Sequence, residues 1–175
     1  ETLIETEPGK YQMAQLNGEV GRTYKLTIHA AQGNYQATTK MQRLSWQIDS
    51  VKYEFKKKGM MVEKEGYYPK LYGQEQSGSG DFVLLKMSKN GRALKSSREL
   101  NLFNDEFVDG NYIQAAQPML DEPFQKNEEI RYEMWSLTED AYRFYSDIKT
   151  QLNNGGLFAS PSNNTRTNLI KTDPN

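Results

Sequence analysis

Residues 129–168 read EIRYEMWSLTEDAYRFYSDIKTQLNNGGLFASPSNNTRTN. Ile130, Tyr132 and Met134 alternate with polar neighbours up to Trp135, the period of a strand with one buried face. Ser136-Leu137-Thr138-Glu139 then matches a capping box, with Ser as the cap and Glu three residues later. Glu139 and Asp140 fall in the first turn, where the positive end of a helix favours acids. Ala141, Tyr145, Ile148 and Leu152 recur at i, i+4, i+7 and i+11 as an apolar stripe, and Gly155-Gly156 stops the helix. The pattern predicts one amphipathic helix over about 137–153. No other segment carries such a signal, so a single late helix stands among about ten strands and the class is mainly β.

Upstream, short alternating segments are separated by turn residues. Tyr11–Leu16 reads as a strand ended by Asn17-Gly18. Tyr24, Leu26 and Ile28 share one face of the next, and Gln32-Gly33-Asn34 turns the chain into a partner over Tyr35–Met41. Ser45–Asp49 reads as a crossover. Val51, Tyr53 and Phe55 point inward from a strand that leads into the charged loop Lys56–Gly66. Tyr67–Tyr72 follows, and Pro69, which has no N–H, predicts an edge or a bulge there. Gln76–Gly80 is a flexible loop, Asp81–Met87 a central strand, Lys89–Arg92 a turn, Asn104–Asn111 an acidic turn and Tyr112–Ala115 a further strand. The expected architecture is a set of antiparallel sandwich-like units of immunoglobulin or transthyretin type. An N-terminal part spans 1–49, truncated at its start, and a C-terminal part spans 50–175.

Composition narrows the function classes. The net charge of −1 gives no general attraction to nucleic acid or to an acidic membrane surface. Lys56-Lys57-Lys58 reads as a solvated strand end. The absence of Cys excludes disulfides, thiolate zinc sites and Cys nucleophiles. The single His, His29, sits on the strand face opposite Ile28, so no hydrolytic triad is indicated. No apolar run approaches the roughly 20 residues of a membrane-spanning helix. Hydrophobic content is only 36%, so the 20 aromatic residues (11 Tyr, 7 Phe, 2 Trp) are expected to supply much of the core.

Four stretches are candidates for chemistry. Asp105, Glu106 and Asp109 lack the alternate-position spacing of a calcium loop and read as a surface acidic turn. Two carboxylates for glycoside hydrolysis are available to any chain with 23 acidic residues, and only their separation in space decides that reading. Asn153-Asn154-Gly155-Gly156 is a helix stop, and no phosphate-binding glycine pattern occurs. Tyr67, Tyr68 and Tyr72, with Trp46 and Trp135, are the ligand-binding candidates, since exposed rings bind sugars or peptides and buried ones build strands. No catalytic residue, metal ligand or cofactor is assigned.

Several pieces in order resemble a family of Bacteroidetes lipoproteins, domain of unknown function 4249. The first piece runs Gly21-Arg22-Thr23-Tyr24-Lys25-Leu26-Thr27-Ile28 through Gly33-Asn34-Tyr35-Gln36-Ala37-Thr38-Thr39. Asn90-Gly91 and Phe103–Gly110 follow. The last runs from Tyr142 through Gly155-Gly156-Leu157-Phe158 to Pro161 and Thr167-Asn168. The chain departs from the family pattern at both ends. Leu3–Tyr11 is similar to the last part of a transthyretin-like unit whose earlier strands, and the lipid-attachment Cys, are absent. The closing Gly-x-Phe strand is absent too. The resemblance implies export, an outer-membrane anchor outside this chain, association with a TonB-dependent transporter, and no catalytic residues.

The function expected from these readings is a non-enzymatic exported lipoprotein, a binding or accessory module for TonB-dependent nutrient uptake with a glycan or peptide ligand and no nucleic acid. Two rivals stand beside it: a carboxylate-dependent glycoside hydrolase, and a structural or adhesive subunit completed by strand addition at an open sheet edge.

Overall fold

The computed structural model describes residues 2–13, 17–154 and 164–172. Its elements, in chain order, are β1 (Ile4–Glu7), β2 (Lys10–Gln12), β3 (Thr23–Ala30), β4 (Gly33–Lys40), β5 (Trp46–Lys56), β6 (Gly66–Glu75) and β7 (Phe82–Lys89). There follow β8 (Arg92–Ala93), β9 (Asn101–Asn104), β10 (Tyr112–Ala116), β11 (Ile130–Leu137), α1 (Glu139–Asn153) and β12 (Ile170–Lys171). With 48% of residues in antiparallel strands and 9% helical, the chain is mainly β with one late helix.

Two sheets enclose the core. One has the order β10-β6-β5; the other runs β11-β7-β8, with β9 also pairing β7. Trp46, Leu71, Leu85, Met87, Leu120 and Phe124 pack between them. Alternation explains the assignment. Ile130, Tyr132 and Met134 of β11 turn toward this cluster, as their spacing predicts. β7 is the central strand expected from its apolar run, and Val83, Leu84, Leu85 and Met87 are all buried. Both its faces are covered, because α1 packs on the side away from the core, where Tyr142 lies 4.9 Å from Phe82. Asn90-Gly91 makes the two-residue turn into β8, both residues at positive φ as a hairpin of this length requires.

Residues 2–44 are organised differently. β1 and β2 form a hairpin, and β12-β4-β3 a single sheet, with Ile4, Val20 and Ile170 each at least 65% exposed. Among the described residues the first buried side chain is Ser45. A lone sheet has no second layer against which to bury its apolar face.

Several boundaries differ from the sequence reading. Trp46–Asp49, read as a crossover, opens the 11-residue strand β5, which therefore runs through the expected division at 49 and 50. Pro69 is not on an edge strand. β6 is the middle strand, but Pro69 lies between the end of the β10 pairing at Leu71 and an isolated bridge from Tyr67 to Phe124. A proline fits there, where the ladder is interrupted. The strand expected over Tyr11–Leu16 is observed only to Gln12; Ala14–Leu16 lie outside the described residues.

The helix cap also shifts. Thr138, not Ser136, is the N-cap, and its Oγ1 accepts from Ala141 N at 3.2 Å. Ser136 stays in β11 because pairing with β7 extends to Leu137, and its Oγ accepts from Ser45 N at 3.3 Å. Thr138→Ala is expected to cost about 1 kcal/mol in denaturant unfolding, as loss of a capping hydroxyl does. The cap at the other end is Asn154, and Gly155-Gly156, Phe158 and Pro161 lie outside the described residues.

The tail returns to the first sheet. Arg166 donates to both carboxylate oxygens of Asp147 on α1, at 2.6 and 2.7 Å, and β12 then pairs with β4. The Arg166 guanidinium and backbone N–H hold the Asp147 carboxyl at about 2, below its usual 3.8. A carboxylate depressed on folding contributes stability that is present above pH 3.8 and is lost as pH falls through 2. The Thr172 amide, which donates to Asn34 O at 2.8 Å, should therefore lose exchange protection near pH 2 while β7 amides keep theirs.

Candidate functional site

At one end of the sandwich β5 begins and β6 ends, so Trp46 stands opposite Glu75. The chain enters through Arg43-Leu44-Ser45, leaves β6 through the Gln76–Gly80 loop, and returns at Asp81 into β7. β9 ends beside them at Asn104 and continues as the Asp105–Gly110 turn. These ends surround a cavity of about 220 Å³. Its apolar wall comes from Trp46, Val83, Phe103, Val108, Ile113 and Ala116; its polar wall from Ser45, Glu75, Asp81, Asn104 and Asp105. Trp46 and Phe103 meet edge to face at 5.9 Å. β10 is bulged between Ile113 and Ala116, with Ala115 at a φ of 58°, which bends the strand at the cavity rim.

Three carboxylates converge there. Oxygens of Glu75, Asp81 and Asp105 lie within 4.8 Å of one another. Glu75 is 3% exposed and Asp105 6%. Each is positioned by a donor. Gly110 N donates to Glu75 Oε2 at 2.5 Å, and Asp81 N donates to Asp105 Oδ2 at 3.1 Å. Arg43 Nη2 donates to Asp81 Oδ2 at 2.6 Å. The same guanidinium also donates to the carbonyls of Gln76, Ser77 and Gly78, tying the glycine-serine loop to the site. Burial first, then the nearby Asp81, Asp105 and Asp109 charges, pushes the Glu75 carboxyl above its usual range, with the Gly110 N–H opposing. Arg43 is raised by its bond to Asp81. Glu75 Oε1, Ser45 Oγ and Trp46 Nε1 are buried without a hydrogen-bond partner.

Asp105 was expected in a surface acidic turn with Glu106 and Asp109. The turn forms and Glu106 is exposed, but Asp105 faces inward. Its carboxylate finds the Asp81 N–H there, and its own N–H donates to Asp81 O at 3.2 Å.

The five aromatic candidates do not share a site. Trp46 is in the core and the cavity wall; Tyr67 faces the core and meets Phe55 at 5.1 Å. Tyr68 and Tyr72 stand on the opposite face of β6, which no helix covers among the described residues. Lys56 Nζ lies 5.0 Å from the centroid of the Tyr68 ring, and Lys52 Nζ 5.0 Å from that of Tyr72. Tyr112 joins the same face from β10, opposite Gln74, and donates its hydroxyl to Asp49 at 2.9 Å. Lys70 pairs with Glu54 between them at 2.9 Å, which lowers the Glu54 carboxyl. Trp135 belongs to the other sheet, where Lys86 Nζ lies 3.1 Å from its ring centroid.

Arg43, Ser45, Glu75 and Asp81 were not anticipated. One of them carried a signal. In β6 the inward register through Leu71 and Gly73 reaches Glu75, so an acid occupies an apolar position.

The sequence pattern of the family described as "Domain of unknown function (DUF4249)" matches residues 1–175. No curated protein and no solved structure matches the chain.

Proposed function

The chain belongs to the family described as a domain of unknown function (DUF4249), and on that premise we propose that it is a non-enzymatic, exported binding or accessory module for TonB-dependent uptake. In this reading it is a lipoprotein held at the outer membrane by an anchor outside residues 1–175, and it contacts the transporter there. No described helix is long and apolar enough to cross a membrane.

The observation that carries the binding role is the outward face of β10-β6-β5. Tyr68, Tyr72 and Tyr112 stand on it with Lys52, Lys56 and Lys70, and α1 packs on β7, β9 and β11 of the opposite sheet. Tyr68 and Tyr72 are four residues apart on one strand, roughly 13 Å. Their rings line an extended surface on which the sugar rings of a glycan chain can stack. The sole histidine is paired with Asn34 at 2.5 Å on an exposed strand and is not among the residues that line the cavity, which supports a non-catalytic reading.

Glycan-array binding of the purified chain, with a peptide library as the second arm and affinity capture of a transporter as the third, tests this. Binding weakened at least tenfold by Tyr68→Ala with Tyr72→Ala would support it; silence in all three arms would remove it.

The converging carboxylates keep glycoside hydrolysis as a second reading. Their oxygens lie within 4.8 Å of one another, closer than the roughly 5–9.5 Å between carboxyl groups that such an acid and base need. Release of reducing ends from a polysaccharide panel would reinstate it. The outer edge of β3, unpaired among the described residues, likewise keeps strand addition open to a test by scattering, where dimers or fibres would favour it.

A further inference from the structure

We propose that the cavity at the end of the sandwich is a calcium site, with carboxylate oxygens from Glu75, Asp81 and Asp105 and a neutral oxygen from Ser45. Four observations lead there. The first is spacing. Oxygens of the three carboxylates fall within 4.8 Å of one another, and two oxygens on opposite sides of a calcium ion lie about 4.6–5.2 Å apart, twice its bond length.

The second is charge. Three carboxylates face one guanidinium, Arg43, which leaves two negative charges in a largely apolar wall. Buried charges are paired or coordinate metals, and one divalent cation cancels the excess.

The third is independent of the acids. Ser45 is 1% exposed and Trp46 3%, yet Ser45 Oγ and Trp46 Nε1 have no hydrogen-bond partner, and both residues line this cavity with the equally unpartnered Glu75 Oε1. Native interiors rarely leave such groups unsatisfied. An ion satisfies Glu75 and Ser45, and a water beside it gives the indole N–H an acceptor; about 220 Å³ holds both.

The fourth is ligand type. The donors are all oxygens, with no Cys and no His near, which suits a hard cation rather than zinc. Calcium tolerates irregular mixtures of protein and water oxygens, whereas magnesium demands near-ideal octahedral geometry. Arg43 remains beside the ion and repels it. The affinity should therefore fall in the 10⁻⁴–10⁻³ M range of extracellular modules.

The spacing rule for calcium loops misses this site because its ligands come from four separated strand ends. The inference does not rest on the glycan reading, since the tyrosines occupy the other face of the sheet.

The test is thermal unfolding of the full chain in EDTA, in 10 mM calcium and in 10 mM magnesium, with terbium luminescence excited through indole. Calcium should raise Tm by about 5 °C over EDTA and magnesium by less. Terbium luminescence should persist in Trp135→Phe, because Trp46 lines the cavity, and should be displaced by calcium. Glu75→Gln and Asp105→Asn should abolish both signals while exposed Glu106→Gln keeps them. If the first two variants do not fold, the Trp135→Phe luminescence still decides. Equal Tm in EDTA and calcium, or terbium signal absent from Trp135→Phe, would overturn the proposal.

Discussion

Gly73→Ala is expected to destabilise the chain by about 4 kcal/mol, at the upper end of what single substitutions do. A Cβ at position 73 would lie 2.0 Å from Gln47 O, 2.9 Å from Gln47 C and 2.8 Å from Trp46 Nε1. Two of these atoms are backbone, so no rotamer change relieves the clash. Nor can β6 step aside, because Gly73 is paired on one side with Ile48 and on the other with Ile113. Relief requires β5 to move, and β5 is already bulged between Ile48 and Ser50. Displacing β5 would drag Trp46 out of the core and away from Phe103. Gly59→Ala is the matched control, since its nearest neighbour would be 4.0 Å away and its φ is not positive. Urea unfolding should separate the two by several kcal/mol; a loss under 1 kcal/mol at Gly73 would show that β5 yields more easily than its pairing implies.

Gly73 also shows what could be read from the sequence and what could not. Alternation located β11, which buries one face against the facing sheet, so the period of two is visible in Ile130, Tyr132 and Met134; β7, covered on both faces, was located by its apolar run instead. The hairpin at Asn90-Gly91 and the late helix were legible for the same reason: local chemistry decides them. The cap was not, since Ser136 and Thr138 are both good caps and only the pairing of β11 with β7 out to Leu137 selects the second. The crossover placed at Ser45–Asp49 failed because β5 continues past a bulge that breaks its alternation.

The candidate site was the least legible part. Its acids come from the end of β6, the start of β7 and the turn after β9, at positions 75, 81 and 105. Nothing local links them; the antiparallel register does. Among the aromatics, the sequence could not say which face of a strand each ring would take. In β6, Tyr67 lies on the core side and Tyr68 on the open side, a difference of one residue that separates packing from recognition. The same blindness hid the weakness of the first sheet. Leu26 and Ile28 share a face as expected, but a shared face is buried only where a second layer exists, and both remain at least 37% exposed.

Phe124→Ala is expected to cost about 3–5 kcal/mol, while Phe107→Ala should change stability by less than about 0.5 kcal/mol. The two phenylalanines differ only in what surrounds them. Phe124 is 2% exposed and belongs to the buried cluster that includes Leu71, Leu85, Met87 and Leu120; Phe107 is 87% exposed. Phe124 closes the end of the sandwich opposite the cavity. Its backbone exchanges two hydrogen bonds with Tyr67, at 2.8 and 3.0 Å, and its ring meets Tyr53 edge to face at 6.5 Å. Those backbone bonds hold the segment in place after truncation, so the neighbours cannot collapse fully and a void remains. A cavity that cannot close adds its own term to the lost transfer energy, which is why the upper part of the range applies. Denaturant unfolding with an unchanged m-value would attribute the loss to the native core. A cost below 1 kcal/mol would mean that the 118–124 segment relaxes onto Leu71 and Leu85, and that the ring is cover rather than core.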